Sequence, residues 1–194
     1  FIKLGQIFSL KNDTLPLSYT EELLSLIRDI PETPFADMER IFTEDFGKPP
    51  ELYFKTFTDI PISSASTAEV YHATLDNGEH VAVKIKRPNI DEIFERDFIV
   101  ISFIADLLYV CNIKREYRLK ESVLEFIAWT RRELDFRYEA ENAQTLFVHS
   151  NKHPNTVVPK VYLNMSTARV FVNEYLDDGS LPVSFIMARL SLDP

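Results

Sequence analysis

The stretch ISSASTAEVYHATLDNGEHVAVKIKRP, residues 62–88, decides how the chain is read. Within it, AEVYHATL and EHVAVKIK alternate their side chains with the period of two expected of strands. Asp76-Asn77-Gly78 lies between them and supplies the residues a tight reversal needs, so the two strands are predicted to form a hairpin. The second strand carries Val81-Ala82-Val83-Lys84. An ammonium ending an apolar strand needs a reason, because an unpaired charge facing a core is costly.

Protein kinases place the lysine of V-A-I-K there, where it holds the α- and β-phosphates of ATP and pairs with a helix glutamate. The upstream residues resemble the kinase pattern G-x-G-x-x-G-x-V, with Ser63, Ala65 and Ala68 at the glycine positions and Val70 at the valine. Replacing glycine removes easy access to positive φ and puts Cβ atoms where backbone must approach phosphate. Such a loop should be stiffer than its glycine-rich counterpart. Ser63, Ser64, Ser66 and Thr67 offer hydroxyl donors in partial compensation.

Outward from this hairpin, residues 1–47 read as short helices. LPLSYTEELLSLIRDI has helical apolar spacing and stops before Pro31 and Pro34, and FADMERIFTEDFG runs to a glycine C-cap at Gly47. Residues 89–148 are predicted helical in two pieces split near CNIKREYR, the second continuous from about Leu119 to Val148. FIVISFIADLLYVC, from Phe98 to Cys111, is interrupted by Asp106 and shorter than the roughly 20 residues that span a bilayer, so a buried helix is expected ahead of a membrane-contacting face. Two further strands, KVYLN and RVFVNEY, flank the turn MSTA. Strand pair, long helix and strand pair in that order make an α+β lobe.

Composition narrows the function classes. The 194 residues carry a net charge of −9, against a general nucleic-acid or anionic-membrane binder. Cys111 is the single cysteine, which excludes a disulfide framework and a thiolate metal cluster. Asp45-Phe46-Gly47 spells the kinase magnesium motif but precedes Lys84, and His153-Pro154-Asn155 lacks the aspartate a catalytic loop needs. Neither is read as catalytic, and no metal ligands are expected within this chain. His72, His80 and His149 show no metal or triad spacing.

Several stretches together resemble the UbiB family of atypical, protein-kinase-like proteins associated with ubiquinone (coenzyme Q) biosynthesis. IKLGQ resembles its K-x-G-Q signature through Lys3, Gly5 and Gln6, and PISSASTAEVYHA its alanine-rich loop. VAVKIKRP resembles its lysine strand, and ELDFRYEAENA its E-x-D motif, with Glu133 and Asp135, followed by the helix glutamate Glu139. The chain departs from the family where Ser63 and Ser64 replace alanines and where Thr67-Ala68-Glu69 stands for the common Ile-Gly-Gln. These departures bear on nucleotide preference.

The resemblance implies a kinase-like N-lobe of antiparallel sheet and long helix, preceded by a helical K-x-G-Q extension. It implies residues 1–50 as that extension, 51–179 as the small lobe with a helical insert near 89–115, and 180–194 as the start of a large lobe. It implies ATP or ADP with Mg2+ as cofactor. Lys84 and Glu139 would be the catalytic pair, and Ser63, Ser64, Ala65, Ser66, Val70, Lys84 and Glu174 the nucleotide contacts. Lys3, Gln6, Glu133 and Asp135 would form a gating cluster, with Lys3 near the two acids and Lys84 beside Glu139. The insert and the N-terminal helices would cover the cleft, favouring an ATPase or small-molecule or lipid kinase over a protein kinase. Expected partners are the adenine nucleotide, membrane or quinone-lipid and other quinone-biosynthesis proteins, and no nucleic acid. The implied location is mitochondrial, plastid or bacterial inner-membrane associated. Opening on Phe1, the chain reads as a segment of a longer protein, and a truncated pseudokinase acting as a lipid-associated scaffold stands as the competing reading.

Overall fold

The computed structural model describes residues 33–110, 119–150 and 157–176. The expected helix LPLSYTEELLSLIRDI and the K-x-G-Q segment lie outside them. Helix α1, Phe35–Phe46, buries Met38, Ile41 and Phe42, the i, i+3, i+4 stripe that one helical face presents. Gly47 ends it at φ 73°, its N–H donating to the Thr43 carbonyl, so the expected glycine C-cap forms. The short helix α2, Pro50–Tyr53, starts on Pro50, where the missing N–H is harmless.

Five strands follow: β1 Thr56–Phe57, β2 Ser63–Ser64, β3 Ala68–Thr74, β4 His80–Lys86 and, after the helices, β5 Val170–Glu174. All pair antiparallel in the order β1-β3-β4-β5, with β2 also on β3. The β3–β4 hairpin forms as expected, Gly78 turning it at φ 88°. Alternation gives the sheet two faces. One holds Tyr71, Ala73, Val81, Val83, Ile85, Val170 and Val172 and packs on α1. There Phe42 is fully buried, its ring 4.5 Å from Phe46 and 5.3 Å from Tyr53 between centroids. Burying such a ring contributes about 2–3 kcal/mol.

The other face carries Ala68 and Phe171 and receives helix α5, Phe136–Ser150, through Phe136, Ala140 and Ala143. Helices α3, Ile90–Val110, and α4, Leu119–Leu134, pack on each other. Arg131 reaches across to Glu95 with two hydrogen bonds of 2.7 and 2.8 Å.

Three expectations are corrected. The helix predicted to run unbroken from Leu119 to Val148 breaks at Asp135. Its carboxylate accepts the Arg137 N–H at 3.1 Å as an N-cap, and the Phe136 N–H donates to the Ala168 carbonyl instead of a helical partner. The segment KVYLN is not a strand; only Val161 bridges to Asn173, and Leu163–Met165 forms a 3-10 turn. Hydroxyls displace the ladder, Ser166 accepting from the Val172 N–H and Thr167 from those of Arg169 and Val170. Finally, the apolar run from Phe98 is helical but not buried as a whole. Phe98 and Ala105 are buried, whereas Ile99, Phe103, Leu107 and Val110 are exposed. Among the described residues no helix is long and apolar enough to cross a membrane.

Candidate functional site

Strand register assembles the site. Ser63 pairs with Val70, Val70 with Lys84, and Lys84 with Phe171, so these four form one cross-strand row on the face that receives α5. Ala82, paired with Asn173, lies one step along the same face. Lys84 extends from β4 to the first turn of α5, its Nζ 2.7 and 2.9 Å from the two Glu139 carboxylate oxygens. Both side chains are about four-fifths buried, with exposures of 18% and 23%. Beneath them the Phe136 ring centre lies 4.5 Å from the same Nζ, a cation–π contact that backs the ammonium with a negative ring face. The fork of two hydrogen bonds fixes the ammonium over the middle of the sheet.

The serines ahead of β3 divide between the two faces. Ser63 belongs to the Lys84 row, whereas Ser64 pairs with Glu69 and lies on the opposite face. Ala65 donates its N–H to the Ala68 carbonyl at 2.8 Å, so the chain reverses tightly through Ser66 and Thr67. None of these residues has positive φ. The reversal therefore closes without the conformation for which glycine is normally required, as the absence of glycine foretold. Glu174 sits at the end of β5 opposite Val81, on the face away from Lys84, and accepts the Lys160 N–H at 3.0 Å.

The acidic residues of ELDFRYE separate. Glu139 turns to Lys84, while Asp135, outside α5, is gripped by Arg137 at 2.6 Å. With the helix broken between them, the two carboxylates do not share one continuous helix face. The Arg137 guanidinium holds the Asp135 carboxyl below the ordinary aspartate range. Glu133 is partly buried on the last turn of α4, and its proposed partners Lys3 and Gln6 lie outside the described residues. Asp45 of the misleading Asp-Phe-Gly triplet serves the fold: it accepts from Thr167 Oγ1 and from the Arg169 guanidinium, tying α1 to β5. Among the described residues no three His, Cys, Asp or Glu side chains gather to hold a metal. His72 and His80 stack their rings on the hairpin with centroids 5.1 Å apart, Nε2 to Nδ1 at 3.1 Å.

Sequence reading missed two charged pairs near the site. Lys86 alternates with Lys84, so it shares that face, and its Nζ is buried against Asp91 at 3.1 Å and lies 5.7 Å from the Phe136 ring. Glu69, inside β3, is wholly buried and meets Arg87. The period-two pattern places Glu69 with Tyr71 and Ala73 on the core face, which was the available signal.

A five-stranded antiparallel sheet, a helix laid on it and a strand lysine clasped by that helix's glutamate define a protein-kinase-like small lobe. The ABC1 atypical kinase-like domain matches residues 25–188. The AarF domain-containing protein kinase 1 of Xenopus laevis is 31% identical over 193 residues, covering 100% of this chain and 37% of that protein. The protein ACTIVITY OF BC1 COMPLEX KINASE 1, chloroplastic, of Arabidopsis thaliana is 33% identical over 179 residues, covering 91% of this chain and 26% of that one. Among solved structures, the Rv3197–erythromycin complex from Mycobacterium tuberculosis superposes with a TM-score of 0.67 at 28% identity, over 89% of this chain and 44% of that one. The chain belongs to the ABC1 atypical kinase-like family, the UbiB group its motifs resemble. It spans less than half the length of these relatives.

Proposed function

We propose that this lobe binds the phosphates of an adenine nucleotide, as the small-lobe half of an ATP-dependent atypical kinase or ATPase acting in ubiquinone or other quinone-lipid metabolism. The Lys84–Glu139 ion pair carries the reading. A kinase lysine must be held by a carboxylate and yet present its ammonium to phosphate oxygens, and a doubly hydrogen-bonded lysine on a sheet face meets the first requirement. Ser63 and Val70, in its cross-strand row, and Ala82 beside it supply a hydroxyl and an apolar surface for the rest of the nucleotide. Ser64, Ala65 and Ser66 form the reversal that would cover the phosphates, and Glu174 marks the hinge strand. The bound nucleotide supplies the phosphoryl group; Lys84 neutralises charge on it and Glu139 orients Lys84. Ligands for Mg2+ belong in this reading to the rest of the natural protein. Lys3, Gln6, Glu133 and Asp135 would gate the cleft, which favours small-molecule or lipid acceptors or water over protein substrates.

Titrating the full-length natural protein with fluorescent mant-ADP and Mg2+ tests the reading. Lys84→Met and Glu139→Gln should each weaken binding about tenfold or more, the equivalent of one charge-assisted hydrogen bond. Equal affinity in the parent and Lys84→Met proteins, or no binding by the parent, overturns it.

A further inference from the structure

The most heavily bonded cation in the described residues is not Lys84 but Arg87, one residue past the end of β4. Its Nε donates to the Ala65 carbonyl at 2.9 Å and its Nη2 to Ser64 Oγ at 2.6 Å. Nη1 donates to Thr33 Oγ1 at 2.8 Å, and the Arg87 N–H donates to the Thr67 carbonyl at 2.9 Å. The side chain is 11% exposed, and its Nη2 also lies 3.2 Å from Oε1 of Glu69, whose side chain has no exposure. Glu69 is held in turn by the Tyr71 hydroxyl at 2.6 Å and the Thr33 N–H at 2.7 Å.

A buried carboxylate is tolerated only when paired and hydrogen-bonded, so Glu69 fixes where the guanidinium must sit. The planar fork then spans acceptors in several directions at once, which a lysine ammonium on a flexible stem does not. Two of those acceptors, on Ser64 and Ala65, belong to the reversal between β2 and β3, and the Arg87 main-chain N–H adds a third hold at the Thr67 carbonyl. That reversal has no glycine, no positive φ and only the Ala65-to-Ala68 backbone bond across its tip.

We infer that Arg87, seated on buried Glu69, is the positioning residue that holds the Ser64–Thr67 reversal in the orientation needed to cover nucleotide phosphates. The inference deepens the nucleotide reading and rests on it for the ligand. Arg87 itself faces away from the Lys84 row, on the Ser64–Glu69 side of the sheet. It acts on the nucleotide through the backbone it pins and not by touching phosphate. Serine and alanine thus replace a flexible phosphate loop with a fixed one, and the fixing group lies on the far face.

Arg87→Lys separates this role from simple folding, because it keeps a cation for Glu69 while losing the fork. In the full-length natural protein without nucleotide, amide hydrogen exchange read by mass spectrometry should accelerate about tenfold or more in residues 62–68. That is the opening expected from losing a charge-assisted hydrogen bond. Exchange across Val81–Ile85 should stay at the parent rate. Ser64→Ala, which deletes a single bond, should give a smaller change in the same segment. The mant-ADP dissociation constant of Arg87→Lys should rise about tenfold while its thermal midpoint stays near the parent value. Exchange in 62–68 unchanged in Arg87→Lys overturns the inference, as does accelerated exchange with unaltered mant-ADP affinity. A parent protein that fails to bind mant-ADP overturns the nucleotide reading, and with it the phosphate-covering role; the exchange measurement still decides whether Arg87 pins the reversal.

Discussion

Replacing Glu139 by glutamine leaves the Lys84 ammonium with a neutral neighbour in a setting where both side chains are about four-fifths buried. At separations of 2.7 and 2.9 Å the gross attraction of the pair is roughly 6 kcal/mol with an effective dielectric of about 20. Desolvation of the two groups offsets most of this, and the Phe136 ring at 4.5 Å returns a little to the ammonium alone. The expected net loss for Glu139→Gln or Lys84→Met is about 1.5–3 kcal/mol, the worth of a hydrogen bond to a charged group. The double variant should lose less than the sum of the singles by about 1–2 kcal/mol, because the second change removes a charge already stranded. Urea unfolding of the parent, both singles and the double, followed by circular dichroism, gives the coupling directly. Partial burial also shields the pair from counterions, so raising NaCl to about 0.5 M should leave most of the coupling intact. Losses that add within about 0.5 kcal/mol, or a coupling abolished by salt, would mean that the pair behaves as an exposed surface bridge and does not hold Lys84 in place.

Other perturbations probe the frame around that pair. Because Asp135 titrates below its unfolded value of about 3.9, the stability it adds is present above that pH and is lost as pH falls through the folded value. Asp135→Asn keeps an oxygen for the Arg137 N–H, so below about pH 4 its thermal midpoint should fall less steeply than the parent's, and an identical acid limb refutes the assignment. Asp135→Ala, which loses the cap, should cost about 1 kcal/mol at neutral pH in the same unfolding assay, and no loss would remove the capping role. Gly47→Ala meets no atom within 4 Å but must hold φ 73°, so it should destabilise by about 1 kcal/mol, and a neutral result would show that the turn relaxes. Thr130 buries a hydroxyl that has no hydrogen-bond partner among the described residues, so Thr130→Val should be neutral or stabilising by up to about 1 kcal/mol; a clear loss of stability would reveal a missed partner.

How much of this was legible in the residues depends on the range of the interaction concerned. The β3–β4 hairpin was readable because alternation and an Asp-Asn-Gly turn are local properties. The contact between Lys84 and Glu139, 55 residues apart, was legible only through motif resemblance, since no periodicity links them. The break at Asp135 was not legible: ELDFRYE suits an unbroken helix, and what interrupts it is the Phe136 N–H bonding to Ala168 in the approach to β5. KVYLN looked like a strand because Val, Tyr and Leu favour one, yet the hydroxyls of Ser166 and Thr167 took the N–H groups of the neighbouring chain. Hydrophobicity likewise suggested burial for the run from Phe98, but it measures preference and not available cover, and Phe103 and Val110 remain exposed.

The sequence by itself determined the period of the β3–β4 hairpin, the glycine-capped end of α1, the kinase-like order of lysine strand and helix glutamate, and the absence of glycine from the reversal before β3. These follow from backbone preferences and spacings that each residue carries with it. Tertiary structure decided which charges meet: Glu139 with Lys84, Asp135 with Arg137, Asp45 with Arg169, and Glu69 with Arg87. Charge pairing is settled by which side chains the packed layers bring within a few ångströms and shield from water, and three of these four pairs join residues far apart in the chain. That is why a carboxylate hidden in β3 and an arginine beyond β4 read in the sequence as an ordinary polar strand position and a loop cation, and become in the fold the clasp on the reversal.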